Sequence, residues 1–248
     1  MNGARRPASL PRYRKGGAGR RRRAAMWAIF GSAAGLVSSF ALPASATHSD
    51  SQLWSTAVVN YQVNDSLTLS FTGRLRFDDD VTRTEDLLLG PSVTLATAPN
   101  VSVGAGYNHI HDYRPDSDNE NRFWQALTLR HRSAGPALSS RFRLDERLVQ
   151  GVDKPIFRAR YRLRGTYDLN WHRWYAAASD EVFANLNSDD GGPKSGFSEN
   201  RLYGGLGRPL GERFAIELGY QWGYKNRRGE NLVTHALLAT LTLNLGGP

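Results

Sequence analysis

Four arginines stand at alternate positions of one short stretch, and they are the residues in this sequence best suited to bind a charged partner. They are Arg158, Arg160, Arg162 and Arg164. Successive side chains of a β-strand point to opposite faces, so a strand here presents all four guanidinium groups on one face, about 6.7 Å apart. Guanidinium groups bind carboxylate and phosphate oxygens through paired N–H donors. The spacing therefore predicts a ladder of anion-binding groups.

More arginines and a few acids fall on the polar face of other alternating stretches. The further arginines are Arg74, Arg76, Arg141, Arg143 and Arg201, and the acids are Asp145, Glu181, Glu199 and Glu217. Four acids cannot neutralise so many arginines. The sequence therefore predicts a basic surface that needs water or an anionic guest to satisfy it.

The element that must position these arginines is a strand with one apolar and one polar face. Residues 66–77 show the pattern best, because leucine and phenylalanine alternate there with serine, threonine and arginine, apart from one glycine. Eleven such strands are predicted. Their approximate spans are 53–63, 66–78, 85–97, 100–111, 121–132, 137–149, 156–169, 173–186, 198–208, 213–225 and 232–245.

The length of these strands favours a membrane barrel. A tilted strand crosses a bilayer with about 9–11 residues, whereas strands of soluble proteins average about 5–6. An arginine that faces lipid at mid-bilayer costs about 2–4 kcal/mol, so the arginine face is predicted to line the interior. The predicted fold class is all-β, a single antiparallel transmembrane β-barrel of about 10–12 strands. A soluble barrel with an apolar interior is the alternative that shares the same alternation.

The number of strands in the wall is expected to be even, as in other bacterial outer-membrane barrels. Eleven predicted strands do not fit that rule, so we expect a wall of ten or twelve. Either residues 47–52 hide a further strand, or one predicted strand lies outside the wall.

The first 46 residues differ from the rest of the chain. Nine basic residues and no acid precede an apolar run from Ala24 to Leu42, and Ala44-Ser45-Ala46 follows. This order is typical of a secretory signal peptide that is cleaved after its final small residue. Residues 1–46 are therefore predicted to be a cleaved signal peptide and residues 47–248 an outer-membrane barrel. The predicted location is the bacterial outer membrane, reached through the general secretion route.

The charge balance excludes a nucleic-acid partner. The chain has 32 basic and 23 acidic residues, and nine of the basic residues lie in the predicted signal peptide. Residues 47–248 therefore hold 23 of each kind and have no net charge. The chain also has no cysteine, so neither a disulfide nor a thiol nucleophile is available to it.

The connections between strands alternate in length, and the longer ones are rich in acids. We expect the carboxylates of 79–86, 112–120 and 187–199 to face outward and to bridge to lipopolysaccharide through divalent cations, since these cations prefer oxygen ligands. Twelve aromatic residues, Trp54 and Tyr61 among them, are predicted to face lipid near the bilayer boundaries. The predicted partners are outer-membrane lipid and lipopolysaccharide, the barrel-insertion machinery and small anionic solutes.

Six short motifs follow one another in order along the chain. They are Glu120–Gln125, Arg141–Leu148, Arg158–Leu163, Asp180–Leu186, Glu199–Gly207 and Glu217–Tyr220. As a set they resemble a family of bacterial outer-membrane barrels known as domain-of-unknown-function family twenty-four-ninety. The resemblance implies an outer-membrane barrel, and it brings no catalytic residue to this sequence.

No motif for enzymatic chemistry is found, and the prediction is that the chain is not an enzyme. Neither a nucleophile elbow, a zinc-protease helix motif nor a phosphate loop is present. No cofactor and no metal site are predicted. If the barrel is instead a lipid hydrolase, its base must be a histidine at the lipid boundary, and His109 and His111 are the candidates.

The arginine-rich interior leaves two main interpretations of function open. In the first, the arginines line a narrow channel for small anionic solutes, as charged rings do in pores. In the second, they pair with acids and water and fill a closed structural barrel, since buried charges need partners. The lipid hydrolase is a third alternative.

Overall fold

The computed structural model of the protein describes residues 47–113, 119–188, 193–227 and 229–247. The predicted signal peptide, residues 1–46, lies outside them. Eleven strands make up most of this part of the chain. They are β1 (Thr47–Gln62), β2 (Leu67–Asp78), β3 (Arg83–Ala98), β4 (Val101–Asp112), β5 (Glu120–His131), β6 (Ala137–Val149), β7 (Ile156–Asp168), β8 (Tyr175–Asn185), β9 (Gly196–Leu210), β10 (Phe214–Lys225) and β11 (Asn231–Gly246). The described residues include no helix long and apolar enough to cross a membrane.

The eleven strands close into one barrel in which each strand pairs with its neighbours in sequence. Ten of the pairs are antiparallel, and β1 and β11 close the barrel as a parallel pair. The predicted count of eleven strands is confirmed, but the expectations of an even wall and of an entirely antiparallel barrel are wrong. Residues 47–52 belong to β1 itself, where they pair with the start of β11. With an odd number of strands the first and last run in the same direction, so they can meet only in parallel.

The connections define two ends of the barrel. We call one the turn end, where five short connections lie: 63–66, 99–100, 132–136, 169–174 and 211–213. We call the other the loop end, with connections 79–82, 113–119, 150–155, 186–195 and 226–230. β1 and β11 both begin at the loop end and finish at the turn end.

Apolar side chains cover the outside of the barrel, and polar side chains fill its interior. Phe71, Phe142 and Leu237 are among many large apolar residues that are exposed. Asp145 and Glu181 are among many charged residues that are buried. The alternative of a barrel with an apolar interior is therefore wrong, since the two faces are arranged the other way round.

Trp54 is an exception to the predicted belt of outward aromatics. It is only 4% exposed and lies inside the barrel. It shares a face of β1 with Gln52, whose side-chain oxygen accepts a hydrogen bond from the indole N–H at 2.9 Å. Tyr61 does face outward, on the same face as Ser55 and Ala57, which are exposed. Because the outward residues nearest Trp54 in sequence include a serine and an alanine, the alternation of β1 did not reveal which face points inward.

Candidate functional site

All the residues predicted to line the interior lie on inward positions of neighbouring strands. Their strands are β2 for Arg74 and Arg76, β6 for Arg141, Arg143 and Asp145, β7 for Arg158, Arg160, Arg162 and Arg164, β8 for Glu181, β9 for Glu199 and Arg201, and β10 for Glu217. Contacts between strands that are not neighbours place these side chains in a common interior. Arg164 on β7, for example, donates a 2.6 Å hydrogen bond to Glu217 on β10.

A network of ion pairs occupies the middle of the interior. Asp145 is completely buried and accepts hydrogen bonds from Arg143 at 2.5 Å, Arg158 at 3.2 Å and Arg160 at 3.4 Å. Arg160 also donates to Glu181 at 2.9 Å, so one guanidinium joins the two acids. Burial without such partners would be costly for each of these charges. The β6–β7–β8 register places them together, because Asp145 is opposite Arg158 and Glu181 is opposite Arg162.

The turn-end half of the interior holds a second acid with a full set of partners. Glu217 accepts hydrogen bonds from Arg164 and from the hydroxyls of Tyr175 and Tyr203, the last two at 2.9 Å. Arg162 lies between this cluster and the central network. Its side chain makes neither a hydrogen bond nor an ion pair with any described residue.

A β-bulge brings two unexpected acids into the loop-end half. Arg76 pairs with Asp86, but the next residue on β2 pairs with Thr84, so Glu85 is the extra residue. As a result both Glu85 and Asp86 point inward, and they are 2% and 1% exposed. Arg76 forms ion pairs with both of them. The expectation that these two carboxylates face outward is therefore wrong.

Glu120 was likewise expected at the outer surface, and it too lies inside. Its carboxylate accepts two hydrogen bonds from Arg147, at 2.9 and 2.8 Å, and one from Arg122 at 2.7 Å. Glu199 accepts a 2.7 Å hydrogen bond from Arg201. Asp112 also lines the interior. At least eight of the described acids therefore face the interior, rather than the four predicted from sequence. The excess of arginines over acids inside the barrel is therefore smaller than predicted, because β3 and β5 begin earlier than the alternation indicated.

Two aromatic rings hold several guanidinium groups in place between them. Arg74, Arg76 and Arg201 lie 5.1 to 5.5 Å from the ring centre of Trp54. The guanidinium of Arg201 also lies 4.6 Å from the ring centre of Phe183. Arg158 and Arg160 contact the same ring. Such cation–π contacts fix the plane of a guanidinium without using its N–H groups. They leave those N–H groups available for other partners.

A polar cavity of about 590 Å³ occupies the loop-end half of the interior. Among the described residues, ten basic and five acidic side chains line it, so this part of its wall has a formal excess of five positive charges. We call this cavity the vestibule. Its wall includes Arg74, Arg158 and Lys225, and Phe183 forms part of its lining toward the middle of the barrel.

Two cations of the vestibule stand out because they lack close partners. The side chain of Arg74 makes no hydrogen bond with any described residue, and its one ion pair there is with Asp86 at 3.8 Å. The side chain of Lys225 forms no hydrogen bond and no ion pair within the described part of the chain. The Nε atoms of Arg74 and Arg158 are buried without a hydrogen-bond partner. Buried donors of this kind call for a ligand or water, because an unsatisfied one destabilises the fold.

The predicted catalytic histidines lie on the outside of the barrel near the loop end. His109 contacts the side-chain oxygen of Asn121 at 3.0 Å, and the hydroxyl of Tyr107 donates to the same oxygen. His111 stacks edge-on against Tyr113. Neither ring forms a hydrogen bond with a serine in the part of the chain that the structure describes. The described residues contain no group of three His, Asp or Glu side chains that could hold a metal ion.

Taken together, these features define a class of protein: a closed eleven-stranded β-barrel with an apolar exterior and a basic, partly hollow interior. Residues 51–234 match the family described as protein of unknown function DUF2490, and the chain belongs to that family. It is also 27% identical over 176 residues to an uncharacterized protein of Methylorubrum extorquens, a match that covers 69% of this chain and 77% of the relative. No solved structure matches the chain.

Proposed function

We propose that this protein is an outer-membrane β-barrel whose interior forms a narrow, arginine-lined path for small anionic solutes. The observation that carries the proposal is the vestibule, with ten basic and five acidic side chains around about 590 Å³. A low-dielectric wall that carries charge of one sign concentrates the opposite ion inside it. The vestibule is large enough for one small solute and not for a polymer.

The two halves of the interior each offer a cation without a hydrogen-bonded acid. Arg74 lies in the vestibule and Arg162 lies in the turn-end half. Between them stands the network in which Arg160 joins Asp145 and Glu181. An anion that enters at the loop end would meet a first binding position, a narrow region of paired charges and a second position. Several weak positions in series suit conduction better than one strong position.

The test is single-channel recording in a planar bilayer under a salt gradient. We expect a small conductance with a reversal potential on the anion-selective side. Arg74→Gln and Arg162→Gln should move that potential toward zero while the barrel keeps its stability, because neither side chain donates a hydrogen bond to the described part of the protein. Arg132→Gln is the matched control, since Arg132 is exposed in the 132–136 turn. An unselective conductance, equal in all four proteins, would contradict the proposal.

A second candidate function is a closed structural barrel, and the central network favours it. Asp145, Glu181 and Glu217 accept hydrogen bonds from five of the arginines, so these charges are paired inside the barrel. In a closed barrel wild-type protein gives no conductance in any salt, and the arginine variants differ only in stability. The same bilayer recordings therefore separate the two candidates.

The proposed location rests on the apolar exterior and on strands of 11 to 16 residues, long enough to cross a bilayer at a tilt. We expect the protein in the outer-membrane fraction after separation of bacterial envelopes. In detergent, unheated protein should migrate differently on a gel from boiled protein. Recovery in the soluble periplasmic fraction, without such a shift, would contradict the location.

A further inference from the structure

A serine, a histidine and a tyrosine form a hydrogen-bonded group on the outer wall near the turn end. The Nε2 atom of His131 lies 2.7 Å from the hydroxyl oxygen of Ser140. The hydroxyl of Tyr161 lies 3.1 Å from the same oxygen. These residues come from three neighbouring strands, β5, β6 and β7. Ser140 is only 4% exposed although its strand position faces outward.

An apolar groove of about 770 Å³ lies on the wall formed by β2 to β7, and it includes residues of all three strands that carry this group. Phe142 lines the groove and lies two residues from Ser140 on the same face of β6. The ring of Phe142 also packs against Tyr161, with 4.8 Å between the ring centres. Leu127 and Leu144 continue the lining. The three hydrogen-bonded residues do not themselves line the groove, but Phe142 connects it to Ser140 and Tyr161, and its size suits an extended acyl chain.

We propose that Ser140 and His131 form a catalytic dyad for the hydrolysis of lipid acyl esters, with the acyl chain in the groove. The imidazole with its proton on Nδ1 accepts the hydroxyl proton of Ser140 at Nε2. The Ser140 oxygen then bonds to the ester carbonyl carbon, and the alcohol leaves with the proton from His131. Water next attacks the acyl-serine with the same base, and the free fatty acid departs. A serine adjacent to a base is the usual arrangement for nucleophilic catalysis.

Tyr161 supplies the remaining polar group at this site. Its hydroxyl reaches the Ser140 oxygen and lies where it can donate a hydrogen bond to the oxyanion that forms on the carbonyl. Tyr161 is 40% exposed, which places it at the outer surface beside Ser140. Arg132, exposed in the adjoining turn, lies next to His131 in sequence, and it suits the phosphate of a phospholipid headgroup.

The dyad has no third member among the described residues, since the Nδ1 atom of His131 lacks a hydrogen-bonding partner there. In proteases, loss of the orienting acid lowers kcat about 10⁴-fold. We therefore expect slow turnover and look first for a covalent adduct. The probe is a fluorophosphonate, which forms a bond between serine oxygen and phosphorus with loss of fluoride. It is applied to the folded full-length barrel in detergent micelles.

Labelling is expected at Ser140, and peptide mapping of the labelled wild-type protein identifies that position without any variant. Ser140→Ala should abolish labelling, and His131→Gln should slow it about 100-fold or more, the usual contribution of a general base. Ser139→Ala and His109→Ala are the controls: Ser139 points inward next to Ser140, and His109 is an outward histidine whose partner is Asn121. Each protein is used after its unheated gel migration shows that it is folded.

The second readout is release of fatty acid from 4-nitrophenyl palmitate in mixed micelles and from phosphatidylglycerol vesicles. The variants should rank in the same order as in labelling. No labelling of folded wild-type protein, an adduct at another residue, or a labelling rate unchanged in His131→Gln would each overturn the proposal. None of these outcomes bears on the conductance experiment, because the dyad is outside the barrel and the vestibule is inside it.

Discussion

Asp145 is the residue on which most of the central ion pairs converge. It is completely buried, and Arg143, Arg158 and Arg160 all contact its carboxylate. In Asp145→Asn the shape of the side chain is kept but its charge is lost, so three guanidinium groups remain with less compensation. Removing one partner of a buried pair destabilises a protein by about 3–5 kcal/mol.

We therefore expect Asp145→Asn to lower the temperature at which the barrel loses its unheated gel migration in detergent. Glu146→Gln is the matched control, because it removes the neighbouring carboxylate, which lies on the outward face. The control should melt at the wild-type temperature. An Asp145→Asn protein as stable as wild type would contradict this prediction and would mean that water already screens the charge of Asp145.

The interior residues show how far single positions could be predicted from sequence. The arginine ladder was evident because apolar residues alternate with its members, among them the exposed Tyr161 and Leu163. Trp54 was placed on the wrong face because its neighbours give no such contrast. The pairing of Ser140 with His131 was not evident either. It joins residues nine apart on two strands, and only the β5–β6 register brings them together.

At the scale of the strands, glycines on β9 and β10 make room for an aromatic side chain inside the barrel. A Cβ atom at Gly219 would lie 2.4 to 2.6 Å from the ring and hydroxyl of Tyr203, and one at Gly205 would meet the same hydroxyl at 2.2 Å. Tyr203 in turn donates a 2.9 Å hydrogen bond to Glu217. These two glycines therefore position a partner of the Glu217 cluster.

We predict that Gly205→Ala destabilises the barrel by about 1–3 kcal/mol, the usual effect of an extra methyl group in a filled interior. Gly204→Ala is the control on the same strand, because its Cβ atom would meet nothing within 4 Å. Chemical unfolding in detergent, followed by tryptophan fluorescence, compares the two. Equal stability of both variants would show that Tyr203 moves aside at no cost.

The boundaries of the strands were predicted better than irregularities within them. Nearly every strand boundary lies within two or three residues of its predicted place, because long alternating runs define a strand at both ends. The bulge at Glu85 was missed, since an extra residue changes which face a side chain occupies without changing composition. That shift places the carboxylate of Glu85 in the wall of the vestibule beside Asp86, which regular pairing already directs inward.

At the scale of the whole molecule, the closure between β1 and β11 can be tested directly by cross-linking. The natural chain has no cysteine, so a pair of introduced cysteines has no competitor. Ala57 lies opposite Leu241 across the parallel pair, and both are exposed on the outside. The double variant Ala57→Cys with Leu241→Cys should form a disulfide on mild oxidation, since facing residues on adjacent strands lie within its reach.

The control for this cross-link is Ala57→Cys with Leu237→Cys. Leu237 lies opposite Leu53 and is four residues away from the partner of Ala57. It should remain reduced under the same conditions. Efficient bonding in the control but not in the first pair would indicate a different register, and with it a different number of strands in the wall.

The number of strands in the wall was the feature of the whole fold that sequence could not decide. The runs themselves indicated eleven, and only the general rule of even barrels argued for ten or twelve. Pairing between the two ends of a barrel depends on residues far apart in sequence, and alternation within each strand carries no information about it. The location of the interior was predictable, whereas the way in which the wall closes was not.

The parallel closure has a consequence for the order in which the barrel assembles. Every antiparallel pair can grow outward from a short connection, so each step fixes few residues. In every β1–β11 residue pair the two members are instead 184 residues apart in sequence. No short connection therefore exists from which this pairing can spread. For an unfolded chain, closing a loop of that length costs about 5 kcal/mol in entropy. The cost falls only once the other strands have formed a curved sheet that holds both edges close. We therefore expect this pair to form last and to open first, so the amide protons of β1 and β11 should exchange with solvent before those of β6 and β7.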